Sequence, residues 1–117
     1  MATNMLIAYN ILANSKFSMI DKYLKAGLSE NDIADVFEST LDAERKKFDL
    51  DGFNEYAVNL VDGLCTIERW ELAGRLAKWF TKNGLKNETI EVLGCMAICN
   101  TEGEQAAIRF CDELKIA

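Results

Sequence analysis

The chain has 117 residues, half of them apolar and 27% charged, with a net charge of −6, four cysteines, and neither histidine nor proline. This is the composition of one folded domain over residues 1–117, with a core large enough to hold without staples, and it excludes a disordered chain. The missing histidines remove the usual general base and the commonest metal ligand, and no apolar run approaches the roughly 20 residues that span a bilayer.

Apolar residues recur at three- and four-residue steps along the whole chain, which predicts helices throughout. A first helix is expected from Asn4 to Ala13; the run has no preceding Lys or Arg and is interrupted by Asn10, so it reads as a helix and not as a secretory leader. A second, from Ser15 to Lys25, offers Phe17, Ile20 and Leu24 and stops where Gly27 can take the left-handed position. Ser29 followed by Asp32 is a cap signal for a third, running to Lys47 with Ile33, Phe37 and Leu41 inward.

The corner FDLDGFNEY, Phe48 to Tyr56, resembles a calcium loop until its register is tested. An EF-hand needs oxygen ligands at positions 1, 3 and 5, glycine at 6 and glutamate at 12. Gly52 at position 6 places Lys47 at 1 and Val58 at 12, so a cation and a hydrocarbon stand where oxygens are required. The same residues serve a helix start, with Asp49 as N-cap and Phe48 and Phe53 as a hydrophobic staple.

The fourth helix then carries Phe53, Ala57, Leu60 and Leu64 on one stripe, with Gly63 weakening its end. Thr66 is expected to cap a fifth helix, which holds Ile67, Trp70, Ala73, Leu76, Ala77, Trp79 and Phe80 and stops at Asn83-Gly84. Apolar over most of its circumference, that helix should be central. Asn87 caps a sixth through Cys99, and Thr101 with Glu104 forms a capping box for a seventh through Leu114. Connections of two to five residues favour antiparallel neighbours. The fold class is all-α: a compact bundle of six or seven short helices, with a short helical-hairpin superhelix as the alternative.

Three motifs invite chemistry that their surroundings oppose. YLKAGLSENDIADVF, Tyr23 to Phe37, has the outline of a helix-turn-helix, but its second helix would open with Glu30, Asp32 and Asp35 and be repelled by phosphates. Direct nucleic-acid binding is therefore not expected. Cys95 and Cys99 lie four apart on an apolar helix, unlike the tight CxxC turns of zinc sites, and a nucleophilic cysteine lacks a histidine to deprotonate it. Cys65, Cys95, Cys99 and Cys111 read as reduced thiols of a cytoplasmic protein, and no cofactor or metal is expected.

The strongest polar feature is charge. From Ser29 to Asp51 there are eight acids and three bases, a net of −5 out of the chain's −6. Asp35, Glu38 and Asp42 recur at steps of three and four and so share a helix face, which serves either as a solvated surface or as a docking face for a basic partner. Trp79 is the candidate anchor, as tryptophan is enriched at binding hot spots. The segment GRLAKWF, Gly74 to Phe80, resembles the central motif of the anti-apoptotic regulator family over those seven residues, with the tryptophan that precedes the family's glycine standing instead at Trp70.

Taken together, the sequence points to a non-enzymatic intracellular interaction module, an inhibitor or adaptor of the kind that viruses, phages and mobile elements encode. It binds a protein through Asp35, Glu38, Asp42 and Trp79, with no membrane contact. Two other classes fit the same composition: a structural homo-oligomer, and an enzyme subunit using carboxylates and a divalent metal.

Overall fold

Six α-helices follow one another, without a strand, among the described residues, 18–44 and 50–116, of the computed structural model. They are α1 (Ser18–Lys25), α2 (Glu30–Glu44), α3 (Leu50–Thr66), α4 (Trp70–Lys82), α5 (Glu88–Glu102) and α6 (Glu104–Ile116). The helix expected over Asn4 to Ala13 and the Phe48–Asp49 cap and staple lie outside the described residues, as does Lys47. The radius of gyration is 13.7 Å, close to the roughly 13 Å of a globule of this length, so the architecture is the compact bundle and not an extended superhelix.

Local chemistry sets most of the boundaries. Gly27, at φ +107°, ends the turn after α1, where the Gly27 N–H donates to the Leu24 carbonyl. Ser29 and Asp32 form a reciprocal box: the Asp32 N–H donates to Ser29 Oγ and the Ser29 N–H to Asp32 Oδ2, both at 3.1 Å. Asn87 Oδ1 accepts from the Ile90 N–H at 3.2 Å and caps α5 as its sequence position predicts.

Two expected caps are not caps. Thr66 belongs to the last turn of α3, where its hydroxyl donates to the Asp62 carbonyl at 2.9 Å, and α4 begins only at Trp70. The chain reverses between them through Glu68 at φ 60°. Thr101 likewise lies inside α5 and donates to the Ala97 carbonyl at 3.0 Å; the break falls at Gly103, φ +94°, which alone separates α5 from α6. In both cases the threonine hydroxyl finds a carbonyl in the turn behind it, and the helix continues past the residue that was to start the next one.

The core forms around α4, which packs against α2, α3 and α5 as its broad apolar circumference requires. Leu72, Leu76 and Phe80 of α4 are fully enclosed with Phe37 and Leu41 of α2, Leu60, Val61 and Leu64 of α3, and Ile90 of α5. Each such side chain contributes about 1.5–3 kcal/mol by leaving water. Phe53 meets Phe80 edge to face with centroids 5.7 Å apart. The last helix, α6, leans on α5 through a smaller cluster of Ile98, Ala107 and Phe110. One glycine permits the close approach: a Cβ on Gly94 would lie 2.9 Å from Ala77 Cβ and 3.1 Å from Phe110 Cε2, whereas one on Gly74 would meet nothing nearer than 3.4 Å.

Candidate functional site

The acidic face of α2 begins as a spacing pattern and ends as a tertiary contact. Asn31, Asp35 and Glu38 recur at four and three residues, so they form one column on the helix, and Arg75 of α4 stands against it. Arg75 Nε donates to Glu38 Oε1 and its Nη2 to Glu38 Oε2, both at 3.1 Å. The same Nη2 donates to Asp35 Oδ1, and Nη1 reaches the Asn31 carbonyl at 3.2 Å. Glu38 and Asp35 hold the guanidinium proton still more firmly than usual, the hydrogen bonds that Arg75 donates to Glu38 being the largest cause. This planar fork matches the carboxylate geometry in a way that lysine would not.

The four predicted site residues therefore separate. Asp35 and Glu38 meet in the Arg75 clamp, Glu38 being only 23% exposed while Asp35 is 66% exposed. Asp42 is exposed one turn beyond Glu38. Arg45 and Lys46, which spacing offers as its neighbours, lie outside the described residues. Trp79 lies one turn beyond Arg75 on α4, half-buried at the edge of the main core, edge-on to Phe80 at 5.3 Å, and its carbonyl accepts from the Asn83 side chain at 2.8 Å.

The cysteines also divide. Cys65 is buried and free, and Cys99 is exposed and free. Burial, then the nearby Asp62 carboxylate, pushes the Cys65 thiol up to about 11, so it remains protonated and unreactive at neutral pH. The expectation of four reduced thiols fails for the other two: Cys95 of α5 and Cys111 of α6 form a disulfide, with a sequence separation of 16. Because α5 and α6 turn back on each other at a single residue, cysteines distant in sequence become cross-helix neighbours, which no CxxC spacing announces. No group of three or more Cys, Asp or Glu side chains is placed to hold a metal ion among the described residues.

Neither a protein-family model nor a curated protein nor a solved structure matches this chain.

Two further surface features stand out, and sequence reasoning missed both. Three large apolar side chains are exposed among the described residues, Val92 (56%), Met96 (46%) and Ile108 (46%), and all belong to the α5–α6 hairpin. A groove of about 510 Å³ runs between these helices, lined by Val92, Cys95, Met96, Cys111 and Leu114, with Glu88 and Glu91 at its end in the first turn of α5. A second cleft, of about 570 Å³, lies between α4 and α6; its Lys78 is paired with Glu102 at 2.8 Å, and Lys82, Arg109 and Glu113 leave it mixed in charge. The apolar exposure had a faint signal in the sequence: Val92 and Met96 are four apart on the face of α5 opposite buried Ile90 and Ala97.

Among the described residues, no helix is long and apolar enough to cross a membrane.

Proposed function

We propose that this chain is a non-enzymatic interaction module, an inhibitor or adaptor that docks a basic partner protein through the acidic surface of α2. The observation that carries this reading is the charge left over after folding. Within its 15 residues α2 holds six carboxylates, Glu30, Asp32, Asp35, Glu38, Asp42 and Glu44, and no base, and among the described residues Arg75 pairs with two of them, Asp35 and Glu38. A surface of one sign on a compact domain attracts a complementary partner over about a Debye length and raises its association rate.

The module acts inside the cell. Stoichiometric partners are to be sought by affinity capture from the native cell, washed at low and at high salt. With the partner in hand, Asp42→Lys is the clean variant, because Asp42 is exposed and outside the Arg75 clamp. It should slow association several-fold at low salt, with little effect at high salt and an unchanged melt. An unaltered on-rate refutes docking through α2.

A further inference from the structure

The exposed apolar face of the α5–α6 hairpin lies on different helices from the acidic face of α2 and rests on a different observation. From it we infer a second docking surface: the groove lined by Val92, Cys95, Met96, Cys111 and Leu114 receives an amphipathic helix of a partner protein, apolar along one stripe and carrying Lys or Arg at one end.

The apolar half of this assignment follows from exposure. Val92 and Met96 are four residues apart and share one face of α5, and both are about half exposed at a concave site. A soluble surface scatters single apolar side chains without consequence, but a clustered set rimmed by charge marks a contact site. A groove between two helices accepts a third helix whose residues at i, i+3 or i+4 and i+7 fill it.

The basic half follows from charge. Glu88 and Glu91 stand at one end of the groove, and α5 carries no Lys or Arg anywhere in its 15 residues. A second copy laying its own α5 parallel along the groove would bring carboxylates toward carboxylates, and an antiparallel one would set Glu88 and Glu91 against the apolar Met96 end, where α5 offers no cation to meet them. An anionic lipid surface would be repelled in the same way. A partner helix with a cation at the matching end places it against Glu88 and Glu91 while its apolar stripe covers Val92 and Met96. Position along the groove is set by the charges, and affinity comes mainly from the apolar stripe.

The test uses the full-length protein and two synthetic helical peptides with the same leucine stripe, one ending in a pair of lysines and the other in a pair of glutamates. Binding is followed by fluorescence anisotropy. The lysine peptide is expected to bind about tenfold more tightly than the glutamate peptide, and Glu88→Lys with Glu91→Lys should reverse that order. Met96→Glu should weaken the lysine peptide by about tenfold; because Met96 is exposed, the variant should keep its melting temperature. Equal affinity for both peptides, or no response to Met96→Glu in a folded protein, overturns the proposal. So does a dimer in sedimentation that Met96→Glu converts to monomer, since a second copy would then cover the face. None of these outcomes bears on Asp42, so the groove and the α2 surface can fail separately.

Discussion

Adding one methyl group at Gly94 and one at Gly74 should move stability in opposite directions. Both glycines lie within helices, where alanine is favoured by up to about 1 kcal/mol. At Gly94 the new Cβ would sit 2.9 Å from Ala77 Cβ and 3.1–3.2 Å from the Phe110 ring, inside normal contact on two sides. Ala77 Cβ is fixed to the backbone of α4 and cannot swing away, so α5 must shift, at about 1–3 kcal/mol for overpacking. The net expectation is a loss of about 1–2 kcal/mol for Gly94→Ala. At Gly74 the nearest atoms are 3.4–3.6 Å away, which is ordinary contact, and Gly74→Ala should gain about 0.5–1 kcal/mol. For 117 residues the unfolding entropy is about 0.25 kcal/mol per degree, so Gly94→Ala should lower the melting temperature by about 4–8 °C and Gly74→Ala raise it by about 2–4 °C. Circular-dichroism melts with urea titrations measure both. Removing the opposing methyl with Ala77→Gly should recover part of the Gly94→Ala loss beyond additivity. Shifts of the same sign for the two glycines would refute this account of how α4, α5 and α6 meet.

Three other outcomes are expected. Arg75→Met should cost about 1–2 kcal/mol by leaving the half-buried Glu38 without its partner, and a double-mutant cycle with Glu38→Gln should show coupling of about 1 kcal/mol; additive losses would mean that the clamp does not hold α2 to α4. In the thiol chemistry, Ellman's reagent should find one fast-reacting thiol, Cys99, and one slow, Cys65; reducing the Cys95–Cys111 bridge should cost about 3 kcal/mol for a loop of this length, and two fast thiols in the oxidised protein would contradict the burial of Cys65. Finally, the backbone N–H and then the hydroxyl of Ser29 hold the Asp32 carboxyl below its ordinary value of 3.8, so the stability it contributes is complete above pH 3.8 and is lost as pH falls through its lowered folded value. Asp32→Asn should flatten that acid limb of the stability curve, measured by urea midpoints, and an unchanged limb would show that the box contributes nothing.

What the sequence disclosed was local. Period alone identified α2 through α6 and made α4 central, because a helix apolar on most sides can hide only by being surrounded. Asn87, Gly27 and the Ser29–Asp32 pair were legible because a cap acts within four residues. Thr66 and Thr101 misled for the same local reason: a threonine hydroxyl can cap the helix ahead or bond to the turn behind, and only the completed helix decides. The Arg75 clamp and the Cys95–Cys111 contact could not be seen at all, since they join residues 37–40 and 16 positions apart that only tertiary packing brings together.

The clamp also changes what an acidic helix means here. Spacing treats Asp35, Glu38 and Asp42 as one set of like charges that repel each other and wait for an external cation. Folding divides the set. Arg75 takes Glu38 with two hydrogen bonds and Asp35 with a third, so these two carboxylates join α2 to α4 and favour the folded bundle; any partner drawn to them competes with a cation already in place. Asp32 is likewise engaged at its own N-terminus by Ser29. Asp42 is the exposed member outside both arrangements. A lysine at Glu38 would set two cations side by side in a half-buried site and unfold the contact before any partner was tested, whereas a lysine at Asp42 alters the field of the surface and nothing in the core. The charge that stabilises this bundle and the charge available for recognition therefore reside on the same helix but in different residues, and substitutions there must be chosen one residue at a time.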